Sequence, residues 1–226
     1  MKKLINTISV CLIIFVAACG NSNSPSGNTN SEKAENNNTL PYYGNRSTEV
    51  KYVDGLPVVD TVYQSIPSFK FTNQDGNTVT DYNMLGKVSV VDFFFTSCPT
   101  ICPTMKKEMM RVYDKFKGDT NVIILSHTID PDYDTKEVLK DYAERLGADG
   151  KQWQFLTGKR KDIYSIAEKG YFVAAQKDST APGGYIHSGG FVLVDRNLHV
   201  RGVYDGTSEE KVNQLMDDIK RLLTEK

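Results

Sequence analysis

The sequence predicts an α/β sandwich, with a mixed central sheet, flanking helices and a small β-hairpin ahead of them. Three observations predict it. The runs KVSVVDFFFT (87–96) and NVIILSHTI (121–129) are too continuously apolar for half-exposed strands and read as strands buried on both faces. Each is followed by a segment with helical spacing. The C-terminal part reads as a strand hairpin closed by an amphipathic helix.

The elements follow in order. PSFKFTNQDGNTVT (67–80) gives two short strands around an Asp75-Gly76 turn. After the first buried strand, Met105, Met109, Val112 and Phe116 recur at helical spacing and Gly118 ends the helix. After the second, Val138, Leu139, Tyr142 and Leu146 do the same in TKEVLKDYAERLG. KDIYSIAEKG is a shorter helix. GGFVLVDRNLHVRGVYDG (189–206) is a hairpin turning at Arg196-Asn197. SEEKVNQLMDDIKRLLTEK closes the chain as a helix capped by Ser208. This order is similar to a thioredoxin-like fold with an N-terminal hairpin extension, in which reactive residues sit at the carboxyl ends of the strands.

The first 49 residues are of another kind. MKKLINTISVCLIIFVAAC has a basic start, an apolar stretch and small residues before a cysteine, the pattern of an export signal. Its apolar run, Ile8 to Ala18, is shorter than the roughly 20 residues of a spanning helix. VAAC resembles a bacterial lipobox, which implies cleavage before Cys19 and its lipidation. Residues 20–49 are rich in Asn and Ser and poor in large apolar side chains, so they read as a flexible tether. The expected organisation is a lipoprotein signal peptide (1–18), a lipidated Cys19 with its tether (19–49) and a folded domain (50–226). The expected location is a bacterial cell envelope, on a membrane.

The formal net charge is −1, and removal of Lys2 and Lys3 leaves 25 basic against 28 acidic residues, so no basic surplus points to nucleic acid. Of four cysteines, Cys11 falls in the signal and Cys19 carries lipid, leaving Cys98 and Cys102 for the domain. Outside the cytoplasm such thiols tend to oxidise, so the pair has to be accounted for.

It lies in FFFTSCPTICPTM, where the first buried strand ends and a helix begins. A helix starting near Pro99 would put both thiols on one face of its first turn, at the positive end of the helix dipole, which favours thiolate. Four chemistries fit. A structural disulfide would stabilise a five-residue loop by only about 2 kcal/mol and would tie residues one turn already holds together. A redox dithiol is open, although the usual spacing is two residues, not three. A peroxide-reactive cysteine is suggested by TSCP, but the residues upstream of it do not match. A metal site needs a third ligand: two thiolates and an imidazole suit Cu(I), Cu(II) with an added ligand, or Zn(II) with water.

Three histidines are on offer. His187 sits in the glycine-rich loop of APGGYIHSGGFVLV, where glycines let the backbone approach another element closely. His127 ends a buried strand, where local hydrogen bonding is the ordinary role. His199 follows the hairpin turn and is expected to be exposed. The order of preference is His187, His127, His199.

With these motifs in hand, the chain resembles the Sco/SenC family of copper-binding, thioredoxin-like proteins. FFFTSCPTICPTM is similar to the family's signature run, SHTIDPDYDT to its D-P-x-x-D-T segment, WQFLTG (153–158) to its W-x-F-L-T-G segment, and YIHSGGFVLVDRNLHVRGVYDG to its histidine-bearing hairpin. The resemblance implies Cys98, Cys102 and His187 as ligands of one copper ion per chain, Cu(I) or Cu(II). It also implies a membrane-anchored domain facing the periplasm. The implied role is assembly of the dinuclear copper centre of a respiratory cytochrome c oxidase, whose copper-centre subunit would be the partner. Family members also act as thiol-disulfide reductases toward that centre, which would add a thiol reductant as a further partner. Where many members carry an acidic residue before the histidine, this chain has Ile186. Asp130 and Asp134 are expected to be structural, with Asp130-Pro131 a turn and Thr135 a helix cap. The expected function is therefore a copper metallochaperone. The alternatives are an oxidoreductase using the same pair, a peroxidase, and a binding lipoprotein that needs neither thiol.

Overall fold

The computed structural model describes residues 39–225. The signal segment, Cys19 and most of the tether lie outside the described residues. Among the described residues no helix is long and apolar enough to cross a membrane.

A seven-stranded mixed sheet forms the centre, built from β3 (Lys70–Asn73), β4 (Thr78–Thr80), β5 (Val88–Phe94), β6 (Val122–Thr128), β7 (Trp153–Thr157), β10 (Gly190–Val194) and β11 (Val200–Asp205). Its order is β11-β10-β5-β6-β7-β3-β4. The three inner strands β5, β6 and β7 run parallel and the outer ones antiparallel. The helices are α1 (Cys102–Phe116), α2 (Lys136–Leu146), α3 (Arg160–Lys169) and α4 (Glu209–Thr224). The expected α/β sandwich is thus the observed architecture.

Alternation along the buried strands divides the core in two. Val88, Val90 and Phe94 of β5 and Ile124 of β6 pack with α1, α2 and α4. Val91, Phe93 and Phe95 and the β6-side residues Ile123, Leu125 and Ile129 pack with α3 on the other face. The helix periodicities hold: Met105, Met109, Val112 and Phe116 are all buried. The Thr135 and Ser208 side chains cap α2 and α4 by accepting from the N–H groups of Val138 and Lys211.

Three features differ from expectation. First, α1 begins at Cys102 with Pro103 in its first turn, so Pro99 lies ahead of the helix, not at its first position. Second, order reaches into the stretch read as tether. Leu40 is buried, and Arg201, 2 % exposed, holds this segment down. Its guanidinium donates to the Leu40 and Pro41 carbonyls at 2.7 and 3.2 Å, pairs with Asp195 and Glu225, and lies 4.0 Å from the centre of the Tyr42 ring. Because Val200 pairs with Val194, and Val194 with Ser89, this clamp sits at the amino end of β5. The chain therefore enters the domain at the pole opposite the cysteines, about 20 Å away by the rise of seven strand residues.

Third, a second hairpin precedes the predicted one: β1 (Arg46–Val53) and β2 (Leu56–Tyr63) pair antiparallel in a sheet of their own. Every residue of it is exposed except half-buried Tyr63. Its turn is Asp54-Gly55, both with positive φ (52° and 79°), as a two-residue type I′ turn requires.

Candidate metal centre

The site forms where β5 stops. Phe95 continues the strand into the core, and the chain then turns outward through Thr96, Ser97 and Cys98 before entering α1. The turn is pinned by Asp134, which is fully buried at the start of α2. Its carboxylate accepts from the Thr96 N–H at 3.1 Å, from the Thr96 hydroxyl and from the Thr128 hydroxyl, and Thr128 in turn accepts from the Asp130 N–H at 3.0 Å. Burial raises the Asp134 pKa, and the hydrogen bonds from Thr128 and Thr96 offset part of the rise. Asp134 thus fixes the backbone two residues before Cys98.

The two thiols are free and unlike. Cys98 is half-buried in the turn, with Sγ 3.7 Å from the Thr100 hydroxyl and its N–H donating to the Phe95 carbonyl at 3.2 Å. Cys102 occupies the first position of α1 and is 6 % exposed. The two side chains are hydrogen-bonded to each other. Burial alone would raise the Cys98 thiol. Hydrogen bonds from the Cys102 thiol, from the Thr100 and Cys102 backbone and from the Thr100 hydroxyl outweigh it, so Cys98 ionises more readily than an ordinary cysteine. Cys102 is pushed well up, first by burial and then by its contact with Cys98. The arrangement is one accessible thiolate-forming sulfur backed by one protonated, buried sulfur.

Behind Cys102 lies a carboxyl group that the sequence reading passed over. Asp92 is the one charged residue in the β5 run; it accepts from the Ser126 hydroxyl at 2.5 Å, and Ser126 accepts from the Trp153 indole N–H at 2.9 Å. A cavity of about 10 Å³, near the size of a single water, is lined by Asp92, Cys102, Ser126 and Trp153. Burial lifts the Asp92 pKa to about 7. An acidic residue interrupting VSVVDFFF was the available signal.

His187 ends a short strand and does not lie in the loop the sequence suggested. β8 (Ala175–Lys177) and β9 (Tyr185–His187) form a small antiparallel sheet with Ala175 opposite His187. The segment before β9 rests on the cysteine turn. Gly183 has φ +78°, and a Cβ there would lie 2.9 Å from the Phe95 ring and 3.0 Å from Pro99, so only glycine fits. Tyr185 packs its ring 5.1 Å from that of Phe95 and donates to Asp130 at 2.6 Å. The segment after β9 rests there too, since a Cβ on Gly189 would lie 3.5 Å from Ile101. Both flanks of His187 therefore touch the stretch that carries the two cysteines. The His187 side chain itself lies outside the described residues.

The other histidines are elsewhere. His127 is fully buried on the opposite face of the sheet from Asp92, stacked on Phe93 at 5.1 Å and edged by Phe69, Phe71 and Tyr171. Neither ring nitrogen finds a hydrogen-bond partner among the described residues, contrary to the expected local bonding. Burial lowers its pKa to about 3, so it is neutral. His199 is half-buried and not exposed as expected, because Tyr42 and Tyr63 meet it edge-on at 5.4 and 6.3 Å. Among the described residues no three His, Cys, Asp or Glu side chains form a metal-holding group. Cys98 and Cys102 are the pair that the described part contributes.

The SCO1/SenC family model matches residues 60–224. A SCO1 protein homolog of Bacillus subtilis (strain 168) is 32% identical over 172 residues, covering 75% of this chain and 89% of that protein. Among solved structures, that of BsSco, described for a disulfide switch in a member of the Sco family of cytochrome c oxidase assembly proteins, is 32% identical with a TM-score of 0.64, covering 72% of this chain and 95% of that one. Bradyrhizobium japonicum ScoI, solved with copper bound, is 26% identical with a TM-score of 0.59, covering 70% and 99%. With the family match spanning most of the chain and its fold shared by solved Sco structures, this protein belongs to the SCO1/SenC family.

Proposed function

We propose that this protein is a membrane-anchored copper chaperone. In this reading Cys98, Cys102 and His187 hold one copper ion, and the protein helps assemble the dinuclear copper centre of a cytochrome c oxidase. The carrying observation is the contact of both flanks of His187 with the cysteine turn, through Gly183 and Gly189. Tyr185, two residues before His187 in β9, packs its ring on Phe95, and Ile186 between them is 39 % exposed. The donor set fits copper: two soft sulfurs in mutual contact and an imidazole. Bound there, copper would be cargo. Cys98, the more exposed and more readily ionised sulfur, would be the first to be exchanged with a partner's ligand, and buried Cys102 the last to let go. Copper binding by the relative ScoI and oxidase assembly by the family of BsSco support the same role. The anchor rests on VAAC and its lipidated Cys19, with the domain in the periplasm or an equivalent envelope space.

The test is copper stoichiometry in the two redox states. The reduced protein is expected to bind one copper per chain, and the oxidised protein, with Cys98 and Cys102 in a disulfide, none, because ligation requires free sulfur electrons and shed protons. Equal binding in both states would defeat the proposal.

A second reading is favoured by the unlike thiols: a thiol-disulfide oxidoreductase, with Cys98 as attacking thiolate and Cys102 as resolving thiol. It needs no metal. It predicts turnover with a disulfide substrate, supplied with electrons by a thiol reductant, that His187→Ala leaves unchanged.

A further inference from the structure

The β1–β2 hairpin is not accounted for by the copper site. It stands out from the sheet, and the family match begins only at residue 60, after all of β1 and the first four residues of β2. Two-stranded hairpins are marginal by themselves in water. Yet this one keeps eight paired positions without a bulge and exposes Val50 (57 %), Tyr52 (74 %), Leu56 (69 %) and Val59 (69 %).

Its two edges differ. The turn closes on the pair Val53↔Leu56, which is hydrogen-bonded in a two-residue hairpin. Counting back along β1, Tyr52, Val50, Thr48 and Arg46 then turn their N–H and C=O groups outward. On β2 the outward residues are Pro57, Val59, Thr61 and Tyr63. Pro57 has no N–H to offer, so the β2 edge is blunted near the tip. The β1 edge is complete, and a complete unpaired edge is a template for another strand.

The sequence of β1 also fits itself. Place Val50 opposite Val50 of a second copy, antiparallel, about a two-fold axis. Thr48 then faces Tyr52, Arg46 faces Asp54, and Glu49 faces Lys51, each twice. Shifting the register so that Thr48 faces Val50 sets Glu49 against Glu49; shifting it the other way sets Lys51 against Lys51. Only the Val50-centred register joins opposite charges at every charged position. Lys51, held at present by exposed Glu49 and Asp60, is free to be shared at little cost. Exposed pairs of this kind choose the register more than they add affinity.

We propose that two copies of this chain associate through their β1 edges, forming a four-stranded sheet β2-β1-β1-β2 about a two-fold axis at Val50. Each domain lies at the far end of the other's hairpin, so the pairing leaves both cysteine turns uncovered.

The test uses the full chain in the cells that express it, with Cys98→Ser and Cys102→Ser to silence the native pair. Opposed hydrogen-bonded residues lie about 5.5 Å apart at Cα, within disulfide range. Val50→Cys should therefore yield a reducible dimer at least fivefold above the background set by the parent without it. Val59→Cys, as exposed but on the blunted edge, should stay at background. Adding Glu49→Lys to Val50→Cys should remove most of the dimer, and Glu49→Lys with Lys51→Glu should restore it. The hairpin positions are exposed and outside the core, so substitution there leaves folding untouched, and the Cys98→Ser, Cys102→Ser background is common to every comparison. The proposal is overturned by any of three results: Val50→Cys remaining at background, Val59→Cys linking equally well, or a yield indifferent to the charge exchange. If a Val50→Cys chain stays unlinked and is shielded from a water-soluble maleimide only where lipid is present, the occupant is a membrane surface and the dimer is wrong.

Discussion

Two regions at the carboxyl ends of neighbouring strands hold groups able to bind a metal, and they have opposite surroundings. Beyond β5, Cys98 sits half-exposed among hydrogen-bond donors, four residues from its partner and beneath the β8–β9 sheet. Near the end of β6, and directly across from Phe93, His127 is enclosed by aromatic rings, and neither of its nitrogens has a hydrogen-bond partner among the described residues. One region sets two thiols side by side with access to solvent; the other holds a lone imidazole among aromatic rings. A residue type able to coordinate is therefore not a site. What separates the two is whether a second backbone segment packs against the turn that carries the residue, as the segments on either side of β9 do at the cysteine turn through Gly183 and Gly189.

The largest effect that would break this contrast is loss of both sulfurs. Cys98→Ser with Cys102→Ser should weaken copper binding by more than about 100-fold, beyond what outer groups around a metal contribute. Equilibrium dialysis against a competing chelator checks it, and His127→Phe in the same assay should leave affinity unchanged. Next comes the clamp on the turn. Asp134→Ala leaves the Thr96 N–H and the Thr128 hydroxyl without their acceptor and should cost about 1–3 kcal/mol of stability, read as a lower urea midpoint. It should also reduce copper affinity by about tenfold through a loosened Cys98.

Smaller, and diagnostic, is pH. His127 has a folded pKa of about 3, below its unfolded value, so the unfolded chain takes up the extra proton as pH falls beneath about 6.5 and stability drops. Asp92 has a folded pKa of about 7, above its unfolded value, so the folded chain holds the extra proton between about 4 and 7 and stability drops as pH rises through that window. The two slopes oppose each other, so the wild-type protein should respond to pH between about 4.5 and 6.5 differently from either single variant, with the two variants displaced in opposite directions from it. His127→Phe should expose the Asp92 slope, with stability falling by up to about 1.4 kcal/mol per unit as pH rises; Asp92→Asn should expose the reverse. Denaturant titrations at three pH values distinguish them, and equal slopes in both variants would refute the assignment of these two groups.

The core strands were legible because burial on both faces leaves a continuous apolar run, and the helices because their apolar spacing survives in α1, α2 and α4. The cysteine pair and His187 were legible as candidates from residue type and neighbouring glycines. Other features were hidden for physical reasons. Asp134 was legible as structural from the D-P-x-x-D-T segment, but its bond to Thr96, 38 residues away, was not, and Asp92, bonded to Ser126 34 residues on, is marked locally only as a polar residue in an apolar run. The docking of Leu40 depends on Arg201, more than 150 residues away. The first hairpin buries nothing, so it lacks the apolar-inside pattern that announces most strands, although Asp54-Gly55 between Val-rich segments was a turn signal in plain view.

The central claim is that Cys98, Cys102 and His187 form one copper site, and an anaerobic copper titration of the fully reduced protein beside a His187→Ala variant tests it most directly. Bound metal, remaining free thiols and the visible thiolate-to-Cu(II) charge-transfer band are followed together. The account predicts one copper per chain with both thiols engaged, and a band weakened or lost in the variant. Weak, non-stoichiometric binding that oxidises the thiols and is indifferent to His187 would contradict it.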